Sequence, residues 1–420
     1  MAKDVEQLSI DTIRTLSMDA VQQANAGHPG TAMALAPLAY LLYKEVLRGN
    51  PANPHWPNRD RFVLSAGHAC ILQYSALHLA GYNLSLDDLK HFRQWQSKTP
   101  GHPEFRHTEG VEVTTGPLGQ GFANGVGLGI AERFLAGTFN RPHHNIVDHR
   151  TYVICSDGDL MEGVSYEAGS IAGQNALGKL VYFYDDNHIT LDGTTSISFM
   201  QEDKHARFEA QGWPVQRVAD VNDLDALRAA IAAAQSVEDK PSMIIVRSHI
   251  AYPAPHAMDT AKSHGSPLGE AEVRATKEVL GWDPDQQFVV PPEVYEHMNG
   301  VARGQELEDA WNAELAAWSQ AFPDARETWD AAWQRRIGKW ALPEFAPSEE
   351  LATRAAGKQV MQAFKDAVPT MIGGAADLVE STYTEFTGSG IFSADWTGRN
   401  IAFGIREHAM GAIVNGISLH

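Results

Sequence analysis

The chain has 420 residues, 44 % of them apolar, with 33 Lys and Arg against 52 Asp and Glu and a formal net charge of −19. That length accommodates more than one domain and an ample buried core, and the ordinary apolar content excludes disorder as the default. The acidic balance excludes a nucleic-acid or anionic-membrane surface as the main partner, so an anionic ligand needs a locally basic pocket.

Cys70 and Cys155 are the only cysteines, too few for a disulfide framework, and a reducing cytoplasm is the natural reading. The start, Met1 to Glu6, lacks the basic and apolar regions of a signal peptide, and no apolar run reaches spanning length. A soluble protein without membrane or nucleic-acid partners is expected.

In chain order, Leu8, Ile13, Leu16, Ala20, Val21 and Ala24 recur on one helical face, with Gly27 as the expected stop. His28-Pro29-Gly30 follows in a turn, where solvation or capping explains a His as well as a role does. Phe62 to Ser65 reads as a short strand, and Ala66-Gly67-His68 turns into a helix rich in Ala and Leu. His68 at its head either caps that helix or donates to an anion that the helix end attracts. Prolines flank Gly101-His102 and keep His102 on a rigid loop. The stretch Thr114 to Gly121, followed by Gly125, Gly127 and Gly129, is too glycine-rich for a strong helix. Either something bulky approaches the backbone there or helices pack closely.

Residues 151–189 are the most informative. An apolar run, Thr151 to Cys155, breaks at Ser156-Asp157-Gly158, and a second, Leu180 to Tyr184, ends in Asp185-Asp186-Asn187-His188-Ile189. Strand, acidic turn, helix, strand, polar turn is the grammar of a parallel βαβ unit, and such sheets bind ligands beyond the carboxyl ends of their strands. Asp157 and Asn187 are therefore expected side by side at one rim. A carboxylate, an amide oxygen and a nearby carbonyl make an oxygen half-shell suited to Mg²⁺ or Ca²⁺, which a diphosphate would complete. Gly158 lets such a group approach, and the following helix turns its positive end towards it. The plain alternative has Asp157 capping the helix and Asn187 turning the chain.

Further on, Lys204 to Gly212 reads as helix, Val215 to Val218 as strand, Leu224 to Ala234 as helix and Ser242 to Val246 as strand. That alternation predicts a doubly wound parallel α/β sheet. A loop, Ser263 to Gly269, carries His264, and residues 270–321 look helical. Proline and charge accumulate from Pro323 to Pro347, as in a connection. The expected organisation is a first domain over 1–322, a linker over 323–347 and an incomplete second α/β domain over 348–420. In the last, Arg354 starts a helix, Thr370-Met371-Ile372 forms a strand, and Glu407 opens a helix where dipole compensation would suffice to explain it. About 70 residues cannot complete a doubly wound fold, so a truncated polypeptide is expected.

Asp157-Gly158 with Glu162-Gly163 and then Asp186-Asn187 resembles the diphosphate motif of thiamine-diphosphate enzymes, departing at Ser156 and Asp186. Ala26 to Gly30, Gly101 to Glu104 and Gly116 to Gly121 are similar to blocks of the transketolases in particular. The resemblance implies transfer of a two-carbon ketol unit from a ketose phosphate to an aldose phosphate. Thiamine diphosphate would be the sink for a carbanion that bare side chains cannot stabilise. It implies metal binding by Asp157, Asn187 and the Ile189 carbonyl, and cofactor contacts from His68, Gly116, Leu118, Gly158 and His264. Glu407 is implied to hydrogen-bond the pyrimidine ring. His28, His68, His102 and His264 are implied to orient hydroxyls and shuttle protons, and Arg354 and Ser381 to hold the sugar phosphate. The family's homodimer places the cofactor across its interface, with Glu162 and Glu167 linking paired sites. A chain ending at His420 is then expected to bind metal and diphosphate weakly and to turn over poorly alone. Competing readings are a sister such as dihydroxyacetone synthase or deoxyxylulose-phosphate synthase, and a non-catalytic cofactor-binding half of a split enzyme.

Overall fold

Five strands rich in β-branched and aromatic residues form one parallel sheet in the computed structural model, which describes residues 4–392 and 396–420. They are β1 (Arg61–Leu64), β2 (Thr151–Ser156), β3 (Leu180–Asp186), β4 (Val215–Val218) and β5 (Ser242–Arg247), in spatial order β1-β2-β3-β5-β4. Because side chains alternate along a strand, each strand feeds two cores. Leu64, Ile154, Phe183 and Val246 point to one face, covered by helices α1 (Val5–Ala24), α2 (Cys70–Ala80) and α6 (Leu224–Gln235). Val63, Val153, Tyr182 and Ile245 point to the other, covered by α3 (Gln120–Phe139) and α5 (Gly163–Gln174). This is the doubly wound arrangement the alternation predicts.

Several boundaries differ from the expectation for identifiable reasons. Helix α1 ends at Asn25, not Gly27, because Asn25 adopts the left-handed conformation at φ 48 and returns its N–H to the Gln22 carbonyl. Residues 270–321 are broken into Glu270–Val279, Pro292–Met298 and α7 (Val301–Ala321). The proline-rich stretch from Pro323 opens as a helix, α8 (Pro323–Trp333), since proline at the first helical position sacrifices no hydrogen bond. Its Trp329 is 3 % exposed, edge-on to Phe139 at 5.1 Å and beside Trp318 at 6.2 Å. Residues 334–352 carry neither helix nor strand.

The C-terminal part contains α9 (Thr353–Lys365), a two-stranded parallel pair β6 (Gly373–Ala375) and β7 (Asn400–Ala402), and α10 (Glu407–Leu419). The strand expected at 370–372 starts at Gly373 instead. The Met371 N–H closes a turn to Val368, and Arg399 takes the carbonyls of Lys365, Val368 and Met371. Helix α10 docks on α3 through reciprocal glycines. A Cβ on Gly127 would lie 2.1 Å from the Ile413 carbonyl, and one on Gly416 would lie 2.1 Å from the Asn124 carbonyl. The glycines at 125–129 thus serve close packing rather than a ligand. Among the described residues, no helix is long and apolar enough to cross a membrane.

Candidate active site

Strands β2 and β3 pair with Ser156 opposite Asp185, so the chain leaves the sheet at Asp157 and Asn187 on one rim. Each is only 2 % exposed. Asp157 does not cap the helix that follows: Ser156 is the N-cap of α4 (Asp157–Met161), its N–H donating to Asp159 at 2.9 Å. The two Asp157 oxygens instead accept from the Tyr184 hydroxyl at 2.5 Å and the His188 N–H at 3.2 Å. Asn187 does turn the chain, its Oδ1 accepting from the Ile189 N–H at 2.8 Å. Its Nδ2 donates to Asp185 at 2.6 Å, and Asp185 also accepts from the Ser248 hydroxyl at 2.5 Å. These bonds fix which way the amide faces.

Burial pushes Asp157 up to about 6, against the Tyr184 hydrogen bond and aided by Asp185 and Asp186. Burial likewise pushes Asp185 up to about 6. No Lys or Arg forms an ion pair with either among the described residues, a rim of buried carboxylate in want of a cation. No three His, Cys, Asp or Glu side chains there converge as a metal cage. A cation here would therefore take one carboxylate with amide, carbonyl and exogenous oxygens, the donor set of a hard ion.

Around this rim the predicted residues close into a ring of contacts. Leu118 lies on Gly158, where a Cβ would be 2.7 Å from its Cδ1. The His102 ring lies on Gly116, 3.4 Å from a Cβ placed there, and Gly67 backs onto Thr115. Leu191, in the turn after Ile189, and His28 both lie on Gly265, where a Cβ would be 2.6 Å from Leu191 Cδ2 and 3.4 Å from His28 Nε2. His28, His68 and His264 complete the ring, with centroids 5.0 Å apart for His28 and His68, 4.9 Å for His68 and His264, and 5.6 Å for His28 and His264.

These imidazoles are held neutral. His28 is pushed down to about 4, mainly by burial and then by His264, Arg93 and His102. Burial also lowers His68, His102 and His264, with Arg93 adding to the effect at His102. Nδ1 of His28, Nε2 of His68 and Nδ1 of His264 are buried without a hydrogen-bond partner. Unpaired buried polar atoms are costly, and three at one place mark a site that a polar ligand completes.

Two residues that sequence reasoning missed organise the ring. Asp159, 0 % exposed, accepts from the Ser65 hydroxyl at 2.6 Å and the Gly119 N–H at 2.8 Å with one oxygen, and from Ser156 with the other. Ser65 in turn accepts from the Phe122 N–H at 2.8 Å. The Ser-x-x-Asp spacing of a capping box, Ser156 to Asp159, was the available signal.

Four expected residues stand elsewhere. Glu407 is exposed at the start of α10, whose Ala409 N–H donates to Glu167 at 2.9 Å and whose His408 meets Gln120 at 2.9 Å. Glu162 is exposed between α4 and α5. Arg354 stacks over Tyr383 at 5.6 Å, and Ser381 lines a cavity of about 410 Å³ with Asp377 and Ala402. Among the described residues, none of Glu407, Arg354 and Ser381 makes a hydrogen bond, ion pair or ring contact with the four histidines.

Known proteins match this arrangement along the whole chain. The family model for the transketolase thiamine diphosphate binding domain matches residues 5–338, and that for the transketolase pyrimidine binding domain matches residues 349–420. A transketolase of Geobacillus stearothermophilus is 49 % identical over 426 residues, covering 100 % of this chain and 64 % of the relative. The chloroplastic transketolase of Zea mays is 50 % identical over 420 residues, covering 98 % and 62 %. The crystal structure of a Pichia stipitis transketolase in complex with sedoheptulose-7-phosphate superposes with a TM-score of 0.96 at 44 % identity, covering 99 % of this chain and 63 % of that one. A transketolase from Leishmania mexicana gives the same TM-score, 0.96, at 44 % identity. The chain thus spans about 64 % of the length of the first of these curated relatives.

Proposed function

The chain belongs to the transketolase family, and on that premise we propose that it carries the metal- and diphosphate-binding half of a transketolase active site. The reaction is transfer of a two-carbon ketol unit from a ketose phosphate to an aldose phosphate. The observation that carries this reading is the convergence, at the strand ends, of a buried carboxylate lacking a cationic partner and neutral imidazoles with unpaired nitrogens.

Thiamine diphosphate, when bound, supplies the electron sink for breaking the carbon-carbon bond beside a ketose carbonyl. Asp157, Asn187 and the Ile189 carbonyl would hold Mg²⁺ or Ca²⁺, and Gly158, His68 and His264 the diphosphate. Gly116 and Leu118 would bound the aminopyrimidine. His28, His102 and His264 bind substrate hydroxyls; a neutral imidazole offers one donor and one acceptor nitrogen, so each can orient an O–H and pass its proton on. Arg354 and Ser381 would take the sugar phosphate and Glu407 the pyrimidine ring. Their exposure, away from this chain's own histidines, is why we assign them to the site of a second copy, in a homodimer. Glu167, which already holds the head of α10, would link the paired sites with Glu162.

We assign α8 to the first domain and place the connection at 334–352, before the second. A cytoplasmic location fits Cys70 and Cys155, both free and buried.

Calorimetric titration of the chain with thiamine diphosphate in Mg²⁺ tests the reading: binding should depend on the metal, and Asp157→Ala should abolish that dependence. An unchanged Mg²⁺ titration in the variant removes Asp157 as a ligand. In an enzyme of full family length, Glu407→Ala should abolish turnover of ketose phosphates, and pyruvate should not replace them as donor.

A further inference from the structure

One cation beside the histidines has no part in the reading above. Arg93 sits in the left-handed region at φ 61, with its N–H donating to the Thr99 carbonyl at 2.9 Å. Its guanidinium lies flat on Gly101: a Cβ there would stand 2.9 Å from Nε and 3.1 Å from Cζ. Nη2 donates to the Gly101 carbonyl at 3.3 Å, while Nε is buried without a partner. No carboxylate forms an ion pair with Arg93 among the described residues. The next residue, His102, has its ring against Gly116 and its carbonyl bonded by the Tyr74 hydroxyl at 3.0 Å. An uncompensated charge is thus fixed one residue from an imidazole that is itself fixed.

We propose that Arg93 is a positioning residue for His102: clamped across Gly101, it holds the loop that carries the imidazole and fixes a permanent positive charge one residue from it. The groups facing His102 are few. Among the described residues the anion acting on His102 is Glu104, on the same loop, which raises it, while burial and then Arg93 lower it. Cys70, whose sulfur meets the Gly101 carbonyl at 3.2 Å, is pushed up to about 12 by burial and stays a neutral thiol. Tyr74 is raised far above neutrality by burial, and His28 and His68 are uncharged neighbours. Removing Arg93 therefore leaves Glu104 unopposed. Why a neutral His102 matters rests on the proposed reaction, in which it must accept as well as donate; the electrostatic claim itself is read without substrate.

The test is a ¹³C-histidine NMR titration of the unliganded chain, with the His102 signal identified by its loss in His102→Gln. Arg93→Met should let His102 bind its proton about threefold to tenfold more tightly, the effect of removing a nearby, partly screened unit charge. Arg93→Lys should stay within about twofold of the parent, because the charge remains. Gly101→Ala displaces the guanidinium without altering its charge and should shift His102 in the same direction as Arg93→Met. An unmoved His102 in Arg93→Met overturns the proposal, as do equal shifts in the Lys and Met variants. A shift in Arg93→Met that is absent from Gly101→Ala overturns the clamp. None of these outcomes depends on cofactor binding or turnover, so the proposed function can fail independently.

Discussion

Asp159→Ala is the sharpest perturbation of the site that touches none of its proposed ligands. The side chain is fully buried and serves four donors: Ser65 Oγ, the Gly119 N–H, the Ser156 N–H and Ser156 Oγ. The two hydroxyls can rotate towards other acceptors, but the two backbone N–H groups cannot. A buried donor left unpaired costs about 1–3 kcal/mol, so the pair costs about 2–6 kcal/mol. Part of this is offset, because burial has already raised Asp159 above its ordinary range, and removing the carboxyl relieves that penalty. A net loss of about 3 kcal/mol follows. Asp159→Asn keeps one oxygen for Ser65 and Gly119 but turns an NH₂ towards the Ser156 N–H, so about half that loss is expected.

Urea unfolding followed by circular dichroism measures both. Thiamine diphosphate affinity should fall with stability, because Gly119, which Asp159 holds, is next to Leu118. A loss below about 1 kcal/mol for Asp159→Ala, or a larger loss for Asn than for Ala, would refute the claim that this carboxylate ties the loops together.

Three further outcomes are expected. His28 is held below its unfolded pKa, so its contribution is fully present above about pH 6.5 and is lost as the pH falls towards about 4; the drop in urea midpoint between pH 7 and pH 5 should be smaller in His28→Gln, and an identical drop would exonerate His28. Gly127→Ala would drive a methyl into the Ile413 carbonyl, an overpacking of about 1–3 kcal/mol; amide exchange across 407–419 should accelerate, and unaltered protection would contradict the α3–α10 packing. Trp329→Ala should cost about 3–5 kcal/mol if α8 belongs to the first domain's core, whereas within about 0.5 kcal/mol is the mark of a surface connection; a thermal melt separates the two.

What the sequence made legible is what is encoded locally. Val215 to Val218 shows its strand outright, and Asp157-Gly158 and Asn187 carry their chemistry within a few residues of their own strand ends. Strands β2 and β3 run further than their apolar stretches because Ser156 pairs with Asp185, and Asp186 with Arg247. Polar residues extend a ladder that composition reads as turn. Helix α8 was hidden by its proline, and its purpose lies in Phe139 and Trp318, which no local pattern names.

Asp159 shows where the division falls. One oxygen closes a capping box three residues back, which the Ser156-Asp159 spacing announces; the other reaches Ser65 across 94 residues and Gly119 across 40. The first bond starts a helix and the second builds the site, and both come from one carboxylate. Substituting it is thus a measurement of how far the cap and the loop junction are coupled. If the start of α4 frays in Asp159→Asn while the Gly119 turn stays formed, the two bonds are separable, and the long-range one is what holds Gly116 and Leu118 in place.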